Sequence, residues 1–186
     1  LALLAEEGIR ICQFGDLSAK QQQEMNKYFK KELYPLLIPQ GIDPAHAFPF
    51  ISNLSINWLV ATSEKGREQV YLNRLKVPTG IGAPRFIKVG GDHLYITFED
   101  LISNNLALIF PGLVIHSCEL FRVPRNAITE RTGEQANDLL AMIESALRDR
   151  KFADIVRLEV GPCMTTQHRG QLAADLGVDE EEDVIE

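Results

Sequence analysis

The amino-acid sequence predicts an α+β fold, a mixed α/β sandwich in which a mixed, largely antiparallel sheet is packed by about four helices. The chain has 186 residues with 45% hydrophobic and 24% charged content, which is enough to bury a sizeable core. Four strand-like segments follow one another in the first half, and helices and strands alternate only in the second half. No internal repeat or low-complexity tract divides the sequence. We therefore expect residues 1–186 to form a single domain.

The first long helix is predicted to begin at Ser18. Ser18 and Gln21 have the spacing of a capping box, in which two side chains satisfy backbone amides at a helix start. Phe29 and Leu33 follow at helical spacing and mark the face that packs on the core. Pro39 lies just beyond this pattern, and a proline cannot continue a helix.

Two β-hairpins are predicted to follow this helix. Their strands are expected at 55–62, 68–77, 85–89 and 94–97. The first pair is joined by the turn at 64–67 and the second by the turn at 90–92. Both turns contain glycine, which accepts the positive φ angle that tight hairpins need.

The second half alternates between helix and strand. Helices are predicted at 99–110, 132–150 and 166–176, and strands at 113–123 and 152–160. Pro111 and Gly112 end the first of these helices, and Gly177 suits a left-handed terminus for the last.

Charge is distributed unevenly along the chain. The net charge is −7, but residues 175–186 contain seven acids and no base, so the rest of the chain is neutral. Residues 177–186 are therefore expected to be a solvated acidic linker. The stretch 65–91 has the opposite bias, with six basic residues against one acid and a local charge of +5. That stretch is the part of the sequence best suited to attract a polyanion.

Residues 43–57 combine prolines, aromatic rings and amides more densely than an ordinary connection requires. Pro44 and Pro49 fix their own φ angles and push the preceding residues toward extended geometry, which predicts a rigid elbow that leads into a strand. The elbow sequence, DPAHAFPFISNLSIN, resembles the D-P-x-H-P-F-P-F-x-x-N-x-S-x-N signature of polyphosphate kinases. Ala47 stands where that family usually has Pro.

Further blocks of the same resemblance follow in the family's order. They lie at 84–86, 98–102, 108–112, 121–127 and 152–160. Together they cover nearly all of the chain and match the middle, or head, domain of the family. Residues 126–129 depart from it, because the family usually has Asp and Leu there.

The resemblance implies a non-catalytic role for this chain. In polyphosphate kinases, ATP phosphorylates a histidine in the C-terminal domains, and the phosphate passes reversibly to polyphosphate with the help of Mg²⁺. We therefore expect no catalytic residue, metal or cofactor within residues 1–186. The resemblance implies that the head domain contributes to dimerisation and shapes the tunnel around the active site. Residues 1–17 would then be the tail of a preceding helical domain with its linker, and 177–186 would lead to the catalytic domains.

Two groups of candidate site residues follow from these blocks. The elbow supplies candidate interface residues with preorganised aromatic surface: His46, Phe48, Pro49, Phe50 and Asn53. Arg85, Arg122 and Arg125 are the candidate polyanion-binding residues, because a guanidinium matches the geometry of phosphate oxygens. The alternative for these arginines is pairing with local carboxylates, for which Glu99 and Glu119 are the candidates.

Two other functions stay open from the residues alone. One is a freestanding module that binds polyphosphate or nucleic acid through residues 65–91, although the neutral body disfavours it and nucleic acid is not expected. The other is an autonomous phosphohydrolase or phosphotransferase that uses His46 or His116, for which no base or oxyanion donors are evident.

The sequence also limits where the protein is expected to work. It has no apolar run long enough for a membrane span and no signal peptide, so we expect a cytoplasmic location. The resemblance also allows a membrane-associated parent enzyme. Partners are expected to be other domains of the same polypeptide, a second copy of the parent enzyme and polyphosphate. The four histidines lack metal-ligand spacing, and three cysteines without a Cys-x-x-Cys pair predict free thiols.

Overall fold

A computed structural model describes residues 2–43, 45, 48–78, 84–91, 93–126 and 153–186. The described part is a mixed α+β structure, which confirms the predicted fold class. Its helices are α1 (Ala2–Glu6), α2 (Ala19–Tyr28), α3 (Phe98–Ser103), α4 (Leu106–Ile109) and α5 (Thr166–Leu176). Its strands are β1 (Arg10–Ile11), β2 (Pro39–Ile42), β3 (Asn57–Glu64), β4 (Val70–Lys76), β5 (Phe86–Lys88), β6 (Leu94–Thr97), β7 (Leu113–Arg122), β8 (Leu158–Val160) and β9 (Val184–Ile185).

The chain divides into two compact units. Unit 1 comprises Leu1–Ile42 and Trp58–Cys118, and unit 2 comprises Asp43–Asn57 and Glu119–Glu186. In unit 1 the strands are hydrogen-bonded in the orders β1-β6-β5 and β2-β4-β3-β7. In unit 2 the last residues of β7 pair with β8, and β8 pairs with β9. The assignment of residues 1–186 to a single domain stays a prediction.

The start of α2 confirms the predicted capping box. The Gln21 amide donates to Ser18 Oγ, and the Ser18 amide donates to Gln21 Oε1 over 3.0 Å. The helix continues as a wider π-helical turn, Phe29–Leu33, and a 3₁₀ turn, Tyr34–Leu36, ends the segment. Phe29 and Leu33 are almost fully buried, so the helical spacing identified the core face correctly.

Both predicted hairpins are present. β3 and β4 are neighbours joined by residues 65–69, a connection too short for parallel strands, which need about a dozen residues. β5 and β6 pair antiparallel, with Ile87 opposite Ile96 on the buried face. Gly90 has a φ angle of 66° in the turn between them, where other residues would be strained.

The helix predicted at 99–110 is instead two short helices, α3 and α4. The break falls at Asn104 and Asn105, whose side chains compete with the backbone for carbonyl oxygens. Asn105 Nδ2 donates to the carbonyl of Leu101 over 2.9 Å, so the Asn105 amide turns to Ile102 instead. Apolar periodicity continues through the break, which explains why the sequence pattern predicts one helix.

In unit 2, one predicted helix is confirmed and one predicted strand is shorter than expected. α5 is capped by Thr165, whose Oγ1 accepts from the His168 amide, and ends at Gly177 with a φ angle of 69°. The strand predicted at 152–160 is limited to β8, with a single bridge between Arg125 and Ile155 before it. The helix predicted at 132–150 lies outside the described residues.

The acidic end of unit 2 is folded, unlike the solvated segment that its charge predicts. Asp179 Oδ1 accepts from the amides of Glu181 and Glu182, and these hydrogen bonds lower the pKa of the Asp179 carboxyl. β9 then pairs parallel to β8, and Val184 is buried. The role of 177–186 as a connection to catalytic domains stays a prediction.

The two cores are built from different elements. In unit 1, β6 is followed directly by α3, and this region buries Ile96, Phe98, Leu101 and Ile102. In unit 2, the buried side chains include Ile51, Val123, Leu158 and Leu172. Within the described ranges, no helix has the length and apolarity that crossing a membrane requires.

Candidate functional site

The described part of the elbow presents its aromatic residues at the surface of unit 2. Phe48 and Pro49 are half-buried, and Phe50 is 38% exposed, whereas Ile51 beside it is buried. Asn53 is exposed, and Leu54 has a positive φ angle of 58°. The Leu54 amide donates to the carbonyl of Val123 over 2.9 Å, which ties the elbow to the chain after β7. His46 lies outside the described residues.

Arg125 fastens this elbow to two other segments of unit 2. Its Nε donates to the carbonyl of Ile51 over 3.0 Å, and its Nη1 donates to the carbonyl of Ala153 over 2.6 Å. Its backbone amide donates to Asn53 Oδ1 over 2.8 Å. The guanidinium carbon also lies 4.8 Å from the centre of the Phe50 ring, within the range of a cation–π contact.

These contacts give Arg125 a structural role. Burial lowers the pKa of its guanidinium, and the neighbouring Asp154 carboxylate opposes that change. An arginine remains charged under such conditions, because its ordinary pKa lies far above neutral pH. Two of its guanidinium nitrogens, Nε and Nη1, donate to backbone carbonyls, so fewer of its N–H groups are left for an external polyanion.

Arg85 differs, because it pairs with a single buried carboxylate in unit 1. Its Nε lies 2.9 Å from Glu99 Oε1. The Arg85 side chain is 56% exposed, whereas that of Glu99 is 8% exposed. The sequence alternative of carboxylate pairing is therefore confirmed for Arg85 and Glu99.

Arg122 also pairs with a carboxylate, but at the surface of unit 2. It lies opposite Glu159 in the β7–β8 ladder, and its Nε contacts Glu159 Oε2. Both side chains of this pair are partly exposed, at 47% and 23%. An exposed cross-strand pair of this kind orients its arginine only weakly.

Glu119, the other carboxylate named as a candidate partner for these arginines, binds a histidine instead. His168 Nδ1 lies 2.6 Å from Glu119 Oε2, and the Thr165 amide donates to Glu119 Oε1 over 3.3 Å. The Glu119 side chain is 3% exposed. Sequence reasoning missed this pair, because 49 positions separate the two residues and neither belongs to a recognisable motif.

The described residues do not assemble a catalytic constellation around the remaining candidate histidine. His116 Nε2 lies 2.7 Å from Ser63 Oγ across β7 and β3. No carboxylate within the described ranges orients His116, as a general base would require. No group of three or more potential metal ligands occurs in the same described ranges.

A family model described as the polyphosphate kinase middle domain matches residues 20–186. The chain belongs to the polyphosphate kinase family. This match confirms the resemblance carried by the elbow and the later sequence blocks.

Individual relatives agree with the polyphosphate kinase assignment. The chain is 38% identical to polyphosphate kinase 1 of Chlorobaculum tepidum, over 97% of this chain and 27% of that protein. It is 40% identical to a polyphosphate kinase of Thermosynechococcus vestitus, over 86% of this chain and 22% of the relative. The chain thus spans about a quarter of the length of these kinases.

A solved structure supports the fold. The whole chain superposes on 26% of the crystal structure of polyphosphate kinase from Porphyromonas gingivalis with a TM-score of 0.76. The sequences are 23% identical, so this comparison concerns the fold alone.

Proposed function

We propose that this chain is the non-catalytic head domain of a polyphosphate kinase, where it contributes to the dimer interface and shapes the polyphosphate tunnel. The whole enzyme transfers the γ-phosphate of ATP reversibly to polyphosphate in the cytoplasm. The phosphohistidine that carries the phosphate, and the residues that bind ATP and Mg²⁺, belong to domains outside residues 1–186. Those domains and a second copy of the enzyme are the partners of this chain.

The observation that carries this proposal is the fixed aromatic surface of the elbow. Phe50 is partly exposed and lies against the guanidinium of Arg125, which is itself held by two backbone carbonyls. A surface that is already rigid loses little conformational entropy on docking, and exposed aromatic side chains are enriched where proteins bind each other. The elbow is therefore the described part of unit 2 best suited to a protein interface.

A freestanding polyanion-binding module has less support. The described residues of the basic stretch 65–91 are partly used in pairs, because Arg67 binds Glu64 and Arg85 binds Glu99. The match to a kinase middle domain over residues 20–186 also favours a role inside a larger enzyme.

The interface can be tested in the full-length kinase that contains this chain. Replacing Phe48 and Phe50 by Ala removes the aromatic surface and leaves Arg125 with its carbonyl partners. We expect the dimer to dissociate at least about tenfold more readily, since a truncated aromatic anchor typically costs more than 1 kcal/mol of binding energy. Sedimentation velocity over a concentration series measures this change.

Leu108→Ala is the matched control, because Leu108 is 37% exposed, almost the same fraction as Phe50. It should leave the dimer intact. An undisturbed dimer in the Phe48→Ala, Phe50→Ala double variant would show that the elbow is not the interface.

A further inference from the structure

Of the three candidate arginines, Arg85 combines an exposed guanidinium with a fixed position. Its Nε is used by Glu99, while Nη1 and Nη2 have no hydrogen-bond partner among the residues that the structure describes. An arginine anchored through Nε keeps the outer edge of its guanidinium, with four N–H groups, available for an anion. With 56% of the side chain exposed, that edge is accessible within unit 1.

Glu99 holds Arg85 more firmly than a surface carboxylate would. Glu99 Oε2 is buried and has no hydrogen-bond partner within the described ranges, so Arg85 is the one cation in those ranges that pairs with this carboxylate. Separating a buried carboxylate from its partner is strongly unfavourable, because the remaining charge is left uncompensated in a low dielectric. The Arg85 guanidinium is therefore held beside Glu99 in a fixed orientation, which preorganises it for a ligand.

The backbone that carries Arg85 and Glu99 is also held in place by local structure. The carbonyl of Arg85 accepts from the Phe98 amide over 2.8 Å, immediately beyond the β5–β6 ladder. Glu99 follows Phe98 in the first turn of α3, and Phe98 is buried. Both ends of the ion pair thus sit on backbone that is fixed by hydrogen bonds and core packing.

The other two arginines lack this combination. Arg125 directs its donors to the carbonyls of Ile51 and Ala153. Arg122 pairs with Glu159, a carboxylate that is itself 23% exposed, and so it is held less firmly.

We propose that Arg85 binds phosphate oxygens of the polyphosphate chain through its Nη groups and that Glu99 is its positioning residue. This inference rests on the proposed function, because it assigns the substrate that the head domain helps to guide. Ion pairs with Glu64 and Glu99 offset part of the charge of +5 over residues 65–91, but Lys65 and Lys88 are exposed and keep this part of the sequence basic.

The test uses the full-length kinase, with polyphosphate and ADP as substrates and ATP as the measured product. Arg85→Gln should raise KM for polyphosphate by about tenfold, the typical effect of losing a hydrogen bond to a charged group. The kcat and the KM for ADP should stay within about twofold. The contact that is lost stabilises the bound polyphosphate and the transition state equally, so its removal weakens binding without slowing the chemical step. Arg85→Lys should recover only part of the affinity, because a lysine lacks the planar fork.

Glu99 is tested by substitution at the same site. Glu99→Gln keeps the shape of the side chain but removes the charge that fixes Arg85, so KM for polyphosphate should rise by about threefold or more. Glu99→Asp, which restores the charge, should return KM toward the wild-type value. A purely structural role for Glu99 would instead lower kcat and the thermal stability without a selective change in KM.

Two control variants test whether the effect on KM depends on where the positive charge lies. Lys88→Gln removes one positive charge three residues away, and Arg122→Gln removes an arginine that is also paired through Nε. Each should raise KM by less than about threefold, as expected for an exposed charge. An Arg122→Gln effect equal to that of Arg85→Gln would overturn the inference.

The inference and the proposed function fail in different ways. If the wild-type kinase uses polyphosphate and Arg85→Gln leaves its KM unchanged, the inference is wrong and the proposed function stands. If the wild-type protein shows no polyphosphate-dependent ATP synthesis, both are wrong.

Discussion

The sequence predicts that Arg125 binds phosphate, but in the structure its side chain contacts several segments of unit 2. One side chain satisfies the carbonyls of Ile51 and Ala153 and lies against Phe50. Segments far apart in sequence thereby share one donor group, with separations of 74 and 28 positions. The sequence nominates Arg125 for contact with phosphate, whereas the partners that the structure shows are fixed only by the tertiary fold.

We expect Arg125→Gln to lower the free energy of unfolding of the chain by about 2 kcal/mol, because two carbonyl oxygens lose their donor. Arg122→Gln is the control, since its exposed ion pair should contribute less than about 1 kcal/mol. Urea denaturation followed by far-ultraviolet circular dichroism measures both values. Equal values for the two variants would mean that the Arg125 contacts do not stabilise unit 2.

At the scale of elements, the sequence predicts structure best where a local signal is complete. α2 has a capping box and a buried helical face, and α5 has Thr165 at its start and Gly177 at its end. The sequence predicted α2 from its capping box and apolar spacing, and it predicted the end of α5 from Gly177, whereas the Thr165 cap was found only in the structure. The elements that the sequence did not predict are short: β1 and β9 have two residues each, and β2 has four.

Short strands carry no usable periodicity, so only their pairing partners define them. β2 is built from Pro39, Gln40, Gly41 and Ile42, a composition typical of a turn, yet it pairs along β4 in four consecutive positions. The same limit applies to the candidate site. Sequence could nominate Arg85 and Glu99, but it could not show that Glu99 is buried and Arg85 exposed.

β9 tests whether residues 177–186 are folded. Their acidic charge predicts a solvated segment, whereas the structure pairs β9 with β8. Val184 is 8% exposed and Ile185 is 40% exposed, although they are neighbours in one strand. We expect Val184→Ser to lower the free energy of unfolding by about 1.5 kcal/mol, the typical value for a buried valine side chain. Thermal and urea denaturation of the chain measure this loss.

Ile185→Ser is the internal control for β9 and should change the free energy of unfolding by less than about 0.5 kcal/mol. If residues 177–186 were a solvated linker, neither substitution would matter. Identical, negligible effects would therefore favour the solvated linker over the folded strand.

At the scale of the whole molecule, the prediction that phosphoryl transfer takes place outside this chain can be tested directly. The described histidines with side-chain partners are used within the fold, His116 with Ser63 and His168 with Glu119. No described group of acidic or sulfur side chains offers three ligands to a metal ion. Phosphoryl transfer needs groups that neutralise the charge developing in the transition state, such as a bound metal ion.

We therefore expect the purified chain of residues 1–186 to leave ATP and polyphosphate unchanged in the presence of Mg²⁺. Incubation with radiolabelled ATP should yield no acid-labile, base-stable phosphate on the chain, which is the signature of phosphohistidine. The full-length kinase under the same conditions is the positive control and should become labelled. Labelling of His116 or His168 in the isolated chain, abolished by substituting that histidine with Gln, would contradict the non-catalytic assignment and place phosphoryl transfer within this fold.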